Sequence, residues 1–131
     1  MKKLMKSLAL LLALAFVLTG FAGCSGTDVS VAAIQKRGEL VMLTNAAFPP
    51  FEYVEDGKEV GVDIDIANEI AKDLGVTLKV VNMDFDPIVD YIKSGKGDIG
   101  AAGMTITDER KESVDFSIEY VKSKQYIITL K

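Results

Sequence analysis

The sequence predicts an α/β domain built on a mostly parallel sheet. Three observations lead there. From Glu39 onward, short apolar runs of strand character alternate with runs of helical period. Two of the helical runs close on a glycine, Gly75 and Gly95, the usual terminator. A hairpin signal, Asp56-Gly57, interrupts the alternation.

The elements follow in order. "ELVMLTN" reads as a buried strand ending at Asn45. "AAFPPFEYVEDGKEVGV" holds two short extended runs around Asp56-Gly57, and Pro49-Pro50 preclude a helix there. Phe51 and Tyr53 alternate within such a run and are expected to pack. "DIDIANEIAKDLG" is a helix with Ile66, Ala67, Ile70, Ala71 and Leu74 on its apolar face and Asp63 or Asp65 as cap. "TLKVVNM" is the next strand. "DPIVDYIKSG" is a second helix, with Asp86 as N-cap and Pro87 at the first helical position. "DIGAAGM" is a short, fully buried strand of small side chains. A helix capped by Thr107 runs to about Ser113, and "SKQYIITLK" is the last strand.

The chain does not open with this domain. "MKKLMK" is basic, Leu8 to Leu18 is unbroken apolar sequence, and "TGFAGC" supplies small residues. That is the pattern of a secretory signal peptide over 1–23, and no basic stop-transfer flank follows it. Cys24 is the only cysteine, so no intrachain disulfide forms. "FAGC" resembles the lipobox of bacterial lipoproteins, which implies acylation of Cys24; a free thiol or plain signal cleavage is the alternative. Residues 24–38 are expected to be the lipidated cysteine and a tether, and 39–131 the folded unit.

The whole chain carries 131 residues and a net charge of −4. Removal of Lys2, Lys3 and Lys6 with the signal leaves it more acidic still. Nucleic acid and anionic lipid surfaces are therefore excluded as partners, and membrane contact is left to the N-terminal lipid. The chain has no histidine, no serine in a nucleophile elbow and no glycine-rich phosphate loop, so catalysis is not expected and no cofactor is implied. Asp63, Asp65, Asp84 and Asp86 lack calcium-loop spacing, and no metal site is expected.

In parallel α/β sheets, ligands sit beyond the carboxyl ends of the strands. Asn45, Met83 to Asp86 and Gly103 to Thr107 all fall there. Arg110 is the residue that stands out, because a cation near a helix N-terminus is unfavourable. Two readings of it stand: a surface charge paired with Asp108, Glu112 or Asp115, or a clamp for a small carboxylate. Gly103 permits close backbone approach, Thr105 offers a hydroxyl beside a free amide, and a guanidinium fork recognises carboxylates bidentately. Phe48 and Phe85 lie in loops after different strands and suit a clamp on a ligand's body, or else a lid packed on its own loop.

"FPPFEY", "VGVDIDIANEIAKDLG" and "MDFDPIVDYIKSGKGDIGAAGMTITDERKESVDFSIEY" together resemble the polar amino acid-binding proteins of ABC transporters. The resemblance implies one lobe of a two-lobed, class II periplasmic-binding-protein fold. It implies that Arg110 holds the ligand's α-carboxylate, with Thr105 and the Gly103 backbone assisting and Ala102 lining the same wall. Phe48 and Phe85 match the aromatics that sandwich the ligand. Asn45 matches a position often acidic in receptors for cationic or amide side chains. The implied partners are a free polar amino acid and an ABC transporter permease, with no covalent chemistry. In the family, the strand matching "SKQYIITLK" crosses into a second lobe, so this chain is expected to be a first lobe that binds weakly or not at all alone. Two alternatives keep the scaffold: a ligand-sensing domain of a signalling receptor, and a dehydratase-like enzyme.

Overall fold

The computed structural model describes residues 28–124 and 126–131. The predicted signal region and Cys24 lie outside the described residues. The first element is a helix, α1, Val31–Arg37, where a tether was expected. The Ser30 side chain accepts from the Ala33 N–H, Gly38 closes the helix in the left-handed conformation, and Ile34 packs with Leu40 and Ala71. A single buried apolar residue, with both caps satisfied, is what docks this short segment. Residues 31–37 thus pack as part of the folded unit.

The main sheet is parallel, in the order β5-β1-β6, with β1 at Glu39–Thr44, β5 at Thr77–Asn82 and β6 at Ile99–Gly100. β1 is the central strand and is covered on both faces, as its near-continuous apolar sequence requires. Leu40 and Met42 pack towards α1 and α2 (Val62–Leu74), with Ile34, Ile64, Ala67 and Ala71. Leu43 packs on the opposite side with Ile88 and Ala102, under α3 (Ile88–Lys93). The short helix α4 is Asp108–Lys111, and the Thr107 hydroxyl caps it by accepting from the Arg110 N–H at 3.2 Å.

A second, antiparallel sheet contains β2 (Ala47–Phe48), β3 (Glu52–Glu55) and β4 (Lys58–Val60). Asp56 and Gly57 both have positive φ, 50° and 75°, the geometry of a primed hairpin turn whose twist suits the flanking strands. Gly61 then starts α2 at φ 127° and ψ 177°, a conformation essentially restricted to glycine. A Cβ at that position would also run into the Phe51 carbonyl.

Several expectations need correction. α2 has Gly61, not Asp63 or Asp65, at its N-cap position, with no side-chain cap. Its buried stripe is rotated towards Asp63 and Ile64, and it leaves Ile66 and Ile70 about 40% exposed. Contact with β1 and with the hairpin sheet sets that rotation, and helical period alone does not. Pro87, not Asp86, precedes α3, and no side chain caps it. β6 is an edge strand of two residues with Gly100 exposed, because a run of small side chains offers little area to bury. Residues 122–124 and 126–131 carry no strand; Ile127 is 93% exposed. Among the described residues that segment has no pairing partner, and β propensity without a neighbouring ladder does not make a strand.

Two acids are buried within this framework. Glu52 of β3 and Asp63 of α2 are each 1% exposed. Burial and the neighbouring Asp63 push the Glu52 carboxyl up from 4.5 to about 8, so it stays protonated at neutral pH.

Two outcomes follow from this architecture. Gly61→Ala should cost at least about 1–3 kcal/mol in urea unfolding, for the strained backbone alone. Glu52 links stability to pH. Between about 4.5 and about 8 the folded chain holds a proton that the unfolded chain has released. Its contribution is therefore fully present below pH 4.5 and declines as pH rises to about 8. Unfolding measured across that range should show the decline, and Glu52→Gln should flatten it.

Candidate functional site

The parallel register ends β1, β5 and β6 side by side at Thr44, Asn82 and Gly100. The loops that follow carry the predicted residues, so the topology gathers them at one edge. Asn45 is half-buried, and its side-chain amide donates to the Met83 carbonyl at 2.8 Å. The Ala46 N–H donates to the Asn82 side-chain oxygen at 3.0 Å. These two bonds tie the loop after β1 to the loop after β5. Asn45 is thus engaged in holding the loops together.

Phe48 is 53% exposed and stacks on Phe51, with ring centroids 5.5 Å apart. Its ring also lies over Gly103, where an added Cβ would come within 3.1 Å of it. Gly103 has φ 54°, so the absence of a side chain serves both the backbone turn and the contact. Phe85 is half-buried and packs against the cluster of Leu43, Ile88 and Ala102. The structure corrects one position: Ala102 is 3% exposed, and its side chain supports the wall from the core side, not its surface.

Arg110 has a defined posture. Its Nη1 donates to the Thr105 carbonyl at 2.8 Å, and its guanidinium carbon sits 5.4 Å from the centre of the Phe85 ring. That is within cation–π range. Among the described residues it joins no ion pair, so Asp108, Glu112 and Asp115 are not its partners. The guanidinium carries five N–H donors in a rigid fork, and the one carbonyl leaves the rest available. Thr105 itself is exposed. These contacts link Arg110 to Thr105 and Phe85, and Gly103 to Phe48; the five residues make up the candidate wall.

One expectation about backbone amides changes. The Gly103 N–H is not free for a ligand, because it donates to Asp63 Oδ2 at 2.9 Å. The Tyr120 hydroxyl donates to the same carboxylate, 2.9 Å from Oδ1 and 3.0 Å from Oδ2. Burial, then the bond and charge of Asp63, raise the Tyr120 phenol well above its ordinary value. Glu52 lies against Asp63, and one of its oxygens, Oε2, has no partner among the described residues. Reading the sequence by residue type missed Asp63, Glu52 and Tyr120. The signal for Asp63 was its place on the same helical face as Ala67 and Ala71; an acid there reads as a cap until the neighbouring loop is placed against it.

No helix of the described residues is long and apolar enough to cross a membrane.

Residues 40–131 match the model of a family described as bacterial extracellular solute-binding proteins, family 3. The arginine-binding extracellular protein ArtP of Bacillus subtilis (strain 168) is 35% identical over 127 residues, covering 97% of this chain and 49% of that protein. The chain thus spans about half the length of that relative. Among solved structures, the arginine-bound form of domain 1 from TmArgBP is 49% identical, with a TM-score of 0.65 over 66% of this chain and 70% of that one. An ancestral amino acid-binding protein, AncCDT-1, described as a precursor of cyclohexadienyl dehydratase, is 43% identical. Its TM-score is 0.67, over 70% of this chain and 40% of that one. The fold is that of one lobe of a periplasmic-type binding protein. The chain belongs to the bacterial extracellular solute-binding proteins, family 3.

Proposed function

We propose that this chain captures a free amino acid for an ABC importer and hands it to the membrane permease, held at the membrane by a lipid on Cys24. One observation carries the binding reading. Arg110 is fixed by the Thr105 carbonyl and the Phe85 ring, yet has no anionic partner among the described residues. A preset guanidinium at the carboxyl ends of a parallel sheet suits an α-carboxylate. Thr105 assists it, and Phe48 and Phe85 bracket the rest of the ligand.

Relatives support the ligand class. The ArtP protein and the TmArgBP domain are described by their arginine. The second of these is a single domain with arginine bound, which supports measurable binding by one lobe and makes L-arginine the natural probe. An enzymatic reading gains nothing from Glu52. Its carboxyl is the acid raised to about 8, but Glu52 is 1% exposed, out of reach of a ligand on the wall.

Calorimetry with L-arginine tests the site. Arg110→Ala should lose roughly 2–5 kcal/mol of affinity, the cost of leaving a carboxylate unpaired. Arg110→Lys should recover only part, since an ammonium lacks the planar fork. Near-native affinity in either variant would return Arg110 to an ordinary surface charge. The anchor is tested separately. Mass spectrometry of the exported protein should find an N-terminal peptide starting at Cys24 with a diacylglycerol-sized addition, and an unmodified N-terminus at another residue would remove the lipid from the reading.

A further inference from the structure

The contact surface of the wall is held by groups that never reach it. Asp63 accepts from the Gly103 N–H at 2.9 Å and from the Tyr120 hydroxyl at 2.9 Å, so one carboxylate joins α2, the loop after β6 and the segment after α4. Glu52 adds the hairpin sheet to that junction. It lies against Asp63, and a Cβ on Gly103 would come 3.8 Å from its Oε1. Both acids are 1% exposed.

We infer that Asp63 and Glu52 are a positioning pair for the ligand wall, sharing one proton beside Gly103 and fixing the Gly103 peptide through its N–H. Two adjacent buried carboxyls cannot both be charged at modest cost, so one keeps its proton and donates it to the other. Glu52 is the one that keeps it, with its carboxyl raised to about 8. With that proton in place, Asp63 has lone pairs left for Gly103 and Tyr120. Because the peptide is planar, the bond from the Gly103 N–H also turns the Ala102 carbonyl away from the acids and sets where the run to Thr105 begins. Thr105 in turn supplies the carbonyl that holds Arg110. Loss of the proton places two anions together, the Gly103 peptide shifts, and the wall loses its register with Arg110.

The titratable groups facing Glu52 are Asp63 from α2 and Tyr120 from the segment after α4. No ion pair brings a lysine or arginine to either acid among the described residues. Among the described residues, no paired cation therefore offsets a second negative charge there.

The consequence for binding rests on the amino acid reading, but the pair is testable without ligand. In nitrogen-15 NMR of the full chain, the Gly103 amide should move with a midpoint near 8 as pH rises from about 6 to about 9. Glu52→Gln should remove that step. Asp63→Asn should shift the Gly103 amide at constant pH and weaken L-arginine binding by at least roughly tenfold. A Gly103 amide that stays flat with pH in the unmodified chain would overturn the pair, and that result needs no variant to fold. So would a Gly103 amide unmoved by Asp63→Asn. A titrating Gly103 in a chain that does not bind L-arginine would leave the pair standing and defeat the ligand reading alone.

Discussion

The arrangement depends on β1 being hydrogen-bonded on both edges and covered on both faces. A strand in that position has no solvent side, so its residues must be apolar almost throughout. Leu40, Met42 and Leu43 meet that demand, and even Thr44 is fully buried. Parallel partners then force every connection to run over a face of the sheet, and every strand to finish at the same edge. The site is a result of that topology. Asn45, Met83 and Ala101 follow three strands that end together, and short polar ties such as Asn45 to Met83 keep the loops in contact.

Hydrophobic packing alone does not connect the hairpin sheet to this edge. Glu52, Asp63 and Tyr120 do so with polar groups, an expensive choice unless each group is paired. Two donors, Gly103 and Tyr120, meet the Asp63 oxygens, while Glu52 Oε2 is left without a partner among the described residues. An apolar substitute of the same volume would fill the space, but it could not accept the Gly103 N–H and so could not orient that peptide.

Arg110 illustrates how surroundings set the strength of a charge. Its guanidinium is preset by one carbonyl and one ring, which lowers the cost of ordering a long side chain. On an open wall, a carboxylate at contact distance gains only about 1 kcal/mol against bulk water, and about 4 kcal/mol where the effective dielectric falls to about 20. The binding strength of such a wall therefore depends as much on what keeps water out as on the residues that touch the ligand.

Much of this was determined by the sequence itself. Alternation of strand and helix signals identified the parallel sheet, because a centrally buried strand and an amphipathic helix have different periods. Asp56-Gly57 specified the hairpin through the positive φ values it tolerates. The position of Gly103, Thr105 and Arg110 beyond a strand end marked the candidate wall. Tertiary structure decided the rest. Whether residues 31–37 were tether or helix turned on a single buried contact by Ile34. The rotation of α2 was set by what lay beneath it, and this turned Asp63 from an apparent cap into the acceptor for Gly103. The strand character of residues 123–131 came to nothing in 123–124 and 126–131, which pair with no neighbour among the described residues. In each case the local signal was real but short-range. Contacts between residues dozens of positions apart chose among the structures it allowed, and no pattern along the chain encodes which distant group will arrive.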